Sequence, residues 1–152
     1  MTILSPEALV GQASRDRGVI AHAWAESRRA LKAALLDARI TEVVVMVGTP
    51  GSGKSTWAAA NDLPHRVIFD AVFADPGRRR QIARQIRAAG KDAICVWVRT
   101  PLDECLRRQA LRPVWRRVPG AVCHRAALAF HLHPPRQAGE GWSQLLQIDG
   151  TM

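Results

Sequence analysis

The sequence predicts an α/β fold: a parallel sheet of four to five strands between two layers of helices, a three-layer sandwich with a helical extension at its N-terminus. Three observations predict it. Glu42–Val47 reads EVVVMV, an apolar, β-branched run of the kind buried on both faces of a parallel sheet. Shorter runs of the same character recur at Arg66–Asp70 and at residues 93–98, spaced widely enough for a helix between each pair. The stretch after the first run turns on glycines and then reads as helix, the join expected where a strand hands over to a crossover helix.

The elements follow in order. Residues 1–40 form a lead-in in which SPEA at Ser5 suits the cap of a short helical turn, and GVIAHAWAESRRALKAALLDARI, residues 18–40, is helical in composition and period. Trp24, Leu31 and Leu35 share one face of that helix, which predicts packing on the core, with a contact to a partner or to nucleic acid as the rival reading. Residues 41–152 form the main domain. A helix runs from Lys54 to about Asn61 and breaks at Asp62-Leu63-Pro64, and Arg66–Asp70 is a strand ending in an acid. Residues 77–89 read as a helix with Ile82, Ile86 and Ala89 on its apolar stripe, closed by Gly90. After the strand at 93–98, Thr100-Pro101-Leu102-Asp103-Glu104 has the chemistry of a helix start: a hydroxyl cap, proline at the first position and carboxylates in the first turn. That helix should stop at Pro113, a further one should run from about Pro119 to Pro134-Pro135, and residues 144–148 should form the last strand.

The chain is one domain long, at 152 residues, and carries a formal charge of +9. Between Gly77 and Arg117 twelve basic residues face only Asp92, Asp103 and Glu104, an excess equal to that of the whole chain. Such clustering suits a polyanion, since Lys and Arg side chains displace condensed counterions from phosphates. Cys95, Cys105 and Cys123 are odd in number and lack metal-ligand spacing, so they read as buried thiols in a reducing cytoplasm. No apolar run approaches the roughly 20 residues that cross a bilayer, so no membrane association is expected. Trp57 and Trp97 read as core aromatics, whereas Trp115 and Trp142, in basic or loop surroundings, are candidates for stacking on a base. His124, His131 and His133 lack the carboxylate or cysteine partners of a metal site.

Gly48-Thr49-Pro50-Gly51-Ser52-Gly53-Lys54-Ser55 satisfies GxxxxGK[ST] at every fixed position, between a buried strand and a helix. Glycines there let successive N–H groups turn inward onto phosphates. Gly48, Pro50, Gly51, Ser52, Gly53 and Thr56 line the expected nucleotide site, with Lys54 reaching the β and γ oxygens and the Ser55 hydroxyl ligating Mg²⁺. The fold class becomes that of the P-loop NTPases, and the expected ligands are Mg²⁺ and ATP, with GTP or another NTP as alternatives. Asp70, at a strand's C-terminal end, is placed either to hold Mg²⁺ or to accept the acceptor hydroxyl's proton. Arg107, Arg108, Arg112, Arg116 and Arg117 span a helix end and loop, residues 107–118, that would serve as a lid carrying positive charge.

GTPGSGKSTW, VIFDAVFADPGRRRQIARQIRAAGKDAICVWVRTPLDECLRRQALR, RRVP and HPPRQAGEGWSQLLQID together resemble the polynucleotide 5′-hydroxyl kinase branch of the P-loop kinases, related to zeta toxins. The resemblance spans about residues 43–149. It implies ATP phosphates on Gly51, Gly53, Lys54, Ser55 and Thr56, Asp70 as the strand-end acid, Arg108 and Arg112 as lid arginines, and adenine near the segment that leads into the last strand. Members of that group also carry a further strand and a D-x-x-R motif after the helix that follows the loop, and here only residues 58–65 separate those elements. Either Asp70 or Asp75 takes over as base, with Arg78 or Arg79 assisting, or ordinary kinase activity is lost. Transfer of the γ-phosphate of ATP to a polynucleotide 5′-hydroxyl, with Arg112 neutralising the transition state and Arg78, Arg79, Arg116 and Arg117 contacting the acceptor, is the first expectation. A small-molecule kinase and a non-catalytic module that binds ATP and nucleic acid are the alternatives.

Overall fold

The computed structural model describes residues 3–5 and 17–151. Its centre is a five-stranded, all-parallel sheet in the order β1-β3-β2-β4-β5. The strands are β1 (Ile3–Leu4), β2 (Glu42–Val47), β3 (Arg66–Asp70), β4 (Asp92–Arg99) and β5 (Gln144–Asp149). The helices are α1 (Arg17–Leu35), α2 (Lys54–Ala60), α3 (Pro76–Ala88), α4 (Leu102–Leu111), α5 (Gly120–Leu132) and α6 (Gln137–Glu140), with a 3₁₀ turn at Val114–Arg116. No helix among the described residues is long and apolar enough to cross a membrane.

β2 lies between β3 and β4, and every residue from Val43 to Val47 is fully buried. Alternate side chains leave opposite faces of the strand. Val43, Val45 and Val47 join Leu31 and Leu35 of α1, Ile82 and Ile86 of α3 and Phe130 of α5. Val44 and Met46 pack with Ala58 of α2, Ile68 and Val96 on the other face. Helices therefore cover both faces, and Trp24 of α1 closes its side against Phe69 and Phe73. The three cysteines are buried and form no disulfide, and burial pushes the Cys95 and Cys105 thiols up.

Several boundaries differ from expectation for identifiable reasons. The fifth strand comes from the N-terminus: Ile3 and Leu4 pair with Ile68 and Phe69 along the outer edge of β3, so the first 40 residues supply a strand as well as a helix. α1 stops at Leu35, before a turn in which the Asp37 carboxylate accepts from the backbone and guanidinium of Arg39. α3 starts one residue early because Asp75 caps it, accepting from Gly77 N with Pro76 at the first position. Thr100 does not cap α4; Pro101 takes that place and the Thr100 hydroxyl donates to Ser52 O at 2.7 Å. The short turn expected after Ser5 falls on residues outside those described.

Candidate functional site

The loops that leave the C-terminal ends of β2, β3, β4 and β5 meet at one place. Gly48 N donates to Val72 O beyond β3, Thr100 beyond β4 donates to Ser52 O, and Gly150 beyond β5 donates its N–H to Arg99 O. Gly51 and Gly53 take φ of +87° and +104°, left-handed conformations that L side chains rarely adopt. Gly150 is needed for closeness: a Cβ there would collide with Thr100 Oγ1 and Ser52 O.

Lys54 opens α2, yet its side chain is buried and folds back across the loop, donating to Gly48 O at 3.0 Å and Thr49 O at 3.2 Å. One residue on, Ser55 Oγ donates to Asp70 Oδ2 at 2.7 Å. Asp70 ends β3 in register with Met46 of β2, which sets its carboxylate beside the loop that follows β2. Ser52 Oγ and Gln109 Nε2 are buried and have no hydrogen-bond partner among the described residues. Both lie against the loop glycines: a Cβ on Gly48 would come within 2.7 Å of Ser52 Oγ, and one on Gly51 within 3.2 Å of Gln109 Nε2.

α4 lies over the loop and brings Arg108 to it. The guanidinium donates to Gly51 O at 3.1 Å, to Gly150 O at 2.7 Å and to Glu104 Oε1 at 3.0 Å. Arg107 and then Arg108 hold the Glu104 carboxyl at about 2, well below its ordinary range. Among the described residues no group of three or more His, Cys, Asp and Glu side chains comes together. The Ser55 hydroxyl and the Asp70 carboxylate stand side by side at the loop, a pair of oxygen donors that fits an Mg²⁺ ion completing its shell with phosphate oxygens and water.

The structure gathers Gly48, Pro50, Gly51, Ser52, Gly53, Lys54, Ser55, Asp70 and Arg108 around one loop, with Thr56 exposed on the first turn of α2. It does not gather the others. Arg112 caps the C-terminus of α4 and is half-buried. Arg117 bonds the carbonyls of Arg112 and Ala110, tying the lid back to the helix that carries it, and Arg116 lies over the Trp115 ring. Arg78 lies over Trp24.

Arg79 differs from expectation, because it is fully buried and its guanidinium donors are taken up within the protein. It ion-pairs with Glu140 and donates to the carbonyls of Phe73, Ala74 and His133. Trp142 is likewise no stacking platform, being buried with its indole N–H on Glu140 Oε1. Asp75 spends Oδ1 on its own helix. Sequence reasoning missed Thr100, Gln109 and Gly150, whose only signal is tertiary closeness to the loop.

Beside the loop, between the ends of β4 and β5 and helix α5, lies a cavity of about 760 Å³ bordered by Thr49, Trp97, Arg99, Phe130, Gln147 and Asp149. No protein-family profile matches this chain, and no curated protein matches it either.

Proposed function

We propose that the chain is a P-loop phosphotransferase that uses Mg²⁺ and ATP and acts on the 5′-hydroxyl of a polynucleotide, as its likeness to the polynucleotide kinases implies. The observation that carries the reading is the Ser55–Asp70 hydrogen bond beside the buried Lys54, on a loop whose glycines adopt left-handed conformations. Loop N–H groups and Ser52 Oγ suit phosphate oxygens. Ser55 and Asp70 suit the metal, which when bound neutralises charge on the β- and γ-phosphates. Lys54, resting on the Gly48 and Thr49 carbonyls, would reach the same oxygens by lifting from them.

In the transfer, the acceptor oxygen bonds to the γ-phosphorus, the β–γ bridging oxygen departs on ADP with the bonding electrons, and the hydroxyl proton passes to solvent. Such transition states are loose and ask mostly for positioning and charge. A dedicated base is dispensable on this reading, since Asp70 is committed to Ser55 and the metal and Asp75 to its helix. Arg108 supplies positive charge at the loop, and the exposed arginines of α3 and residues 107–118 track the acceptor strand. Three buried cysteines outside any disulfide suit a reducing cytoplasm.

A second reading, a kinase of a small hydroxylated molecule, is favoured by the cavity that Thr49 borders. Incubation with γ-labelled ATP, Mg²⁺ and a 5′-hydroxyl oligonucleotide tests the first reading: it predicts label on the oligonucleotide and none with Lys54→Ala. ATP hydrolysis without labelled oligonucleotide would refute it.

A further inference from the structure

The cavity lies at the C-terminal ends of β4 and β5, next to the loop that follows β2. From β2 the chain crosses to β3 on one side, and from β4 it crosses to β5 on the other, so the cavity flanks the switch point between β2 and β4, at the strand ends where an open α/β sheet takes ligands. Its orientation relative to the nucleotide is fixed by Lys54. The ammonium that serves β and γ oxygens rests on the carbonyls of Gly48 and Thr49, and Thr49 borders the cavity. Arg108 donates to Gly51 O of the loop and to Gly150 O, between Asp149 and Thr151 of the cavity border. The cavity thus adjoins the end of the loop where the transferable phosphate would stand.

Its lining has the parts of a nucleoside site. Trp97 and Phe130 form an aromatic wall with ring centroids 6.3 Å apart, and the exposed Arg99 guanidinium lies over the Trp97 ring at 4.8 Å. Planar guanidinium and aromatic faces are the surfaces on which bases stack. Gln147 beside them accepts one bond from Arg99 and keeps its amide N–H groups for a base edge. Asp149 ends β5 with Oδ1 held by the N–H and hydroxyl of Thr151, while Oδ2 has no hydrogen bond among the described residues. An acid at a strand end is the group that binds ribose hydroxyls in doubly wound folds. At about 760 Å³ the cavity is within the size range of small-molecule sites.

We infer that this cavity is the acceptor pocket and takes a nucleoside group, free or as the 5′-terminal residue of an oligonucleotide, with its hydroxyl directed toward Thr49. The inference rests on the phosphotransferase reading and is tested apart from it by equilibrium binding. Adenosine and a short 5′-hydroxyl oligonucleotide are titrated separately, with Mg²⁺ and a non-hydrolysable ATP analogue present, into the wild type, Ala127→Trp, which fills the cavity from α5, and Asp149→Asn. The expected result is saturable binding of at least one probe, weakened about tenfold or more in both variants, as for a lost charged hydrogen bond, with affinity for the ATP analogue moved less than about twofold. Binding of adenosine assigns a free nucleoside, and binding of the oligonucleotide alone assigns a chain end. The inference is overturned if neither probe binds, or if Ala127→Trp, folded by circular dichroism, weakens the ATP analogue as much as the probe, for the cavity would then hold the nucleotide's own base. Intact probe binding without transfer of label would instead count against the kinase reading alone.

Discussion

Replacing Glu140 by Gln tests the packing behind the site. Arg79 is fully buried, and its guanidinium spends its donors on two Glu140 oxygens, at 2.9 to 3.1 Å, and on the carbonyls of Phe73, Ala74 and His133. Glu140 is the one carboxylate on it among the described residues, and Oε1 also accepts the Trp142 indole N–H at 3.0 Å. A glutamine keeps the shape but removes the charge and points an amide N–H₂ at a donor. Leaving a buried guanidinium without its anion costs about 3–5 kcal/mol. Against a typical stability of about 5–15 kcal/mol, and at roughly 2–4 °C per kcal/mol for this chain length, the melting temperature should fall by about 6–20 °C. Thermal and urea unfolding followed by circular dichroism measure it. A loss below about 1 kcal/mol, the scale of an exposed pair, would refute the reasoning. Arg79→Met with Glu140→Leu should recover much of the loss, since apolar groups can replace a buried pair.

Lys54→Met should lower kcat for phosphate transfer by about 10²-fold or more, the scale of losing one positioned charge donor, with little change in melting temperature; single-turnover kinetics measure it. Gly51→Ala must hold a φ of +87° and bring a Cβ within 2.9 Å of Cys105 O, which costs about 1–2 kcal/mol from backbone strain alone and should weaken ATP binding by titration calorimetry. Glu104, held at about 2 by Arg107 and Arg108, contributes stability that is full above its ordinary value of 4.5 and is lost as pH falls toward 2. Urea midpoints across that window should therefore fall less steeply for Glu104→Gln than for the wild type. Oligonucleotide affinity should fall linearly with the logarithm of salt concentration, with a slope of about −0.7 per phosphate contacted, and the slope should shrink when Arg78 and Arg80 are replaced by Ala.

The fold was legible where composition acts locally. Continuous β-branched runs placed β2, β3 and β4, and prolines and glycines bounded α2 to α5 to within a residue or two, whereas α1 ends at Leu35, short of the residue 40 expected, and α6 was not expected. β1 left no such trace, because a two-residue edge strand owes its existence to the open side of β3 rather than to its own sequence. The loop was legible because its residues are adjacent in the chain, and Asp70 because a strand-end acid is a local pattern. The arginines were not: Arg78, Arg79 and Arg80 stand side by side in the sequence, yet Arg79 is buried on Glu140, 61 residues away, while its neighbours are exposed. Helical phase decides that, and only the tertiary position of α6 supplies the anion. The same holds for Thr100, whose hydroxyl suits a cap equally well until Ser52 O is brought beside it.

The most direct measurement is calorimetric titration of a non-hydrolysable ATP analogue into wild-type protein and Asp70→Asn, with Mg²⁺ and with EDTA. If Ser55 and Asp70 hold the metal on a phosphate-binding loop, the wild type binds the analogue saturably and more tightly with Mg²⁺, and Asp70→Asn loses that Mg²⁺ enhancement while its affinity in EDTA is unchanged. Absence of saturable binding by the wild type, or an Mg²⁺ enhancement equal in the two proteins, would contradict the assignment of Ser55 and Asp70 to an Mg²⁺-nucleotide site.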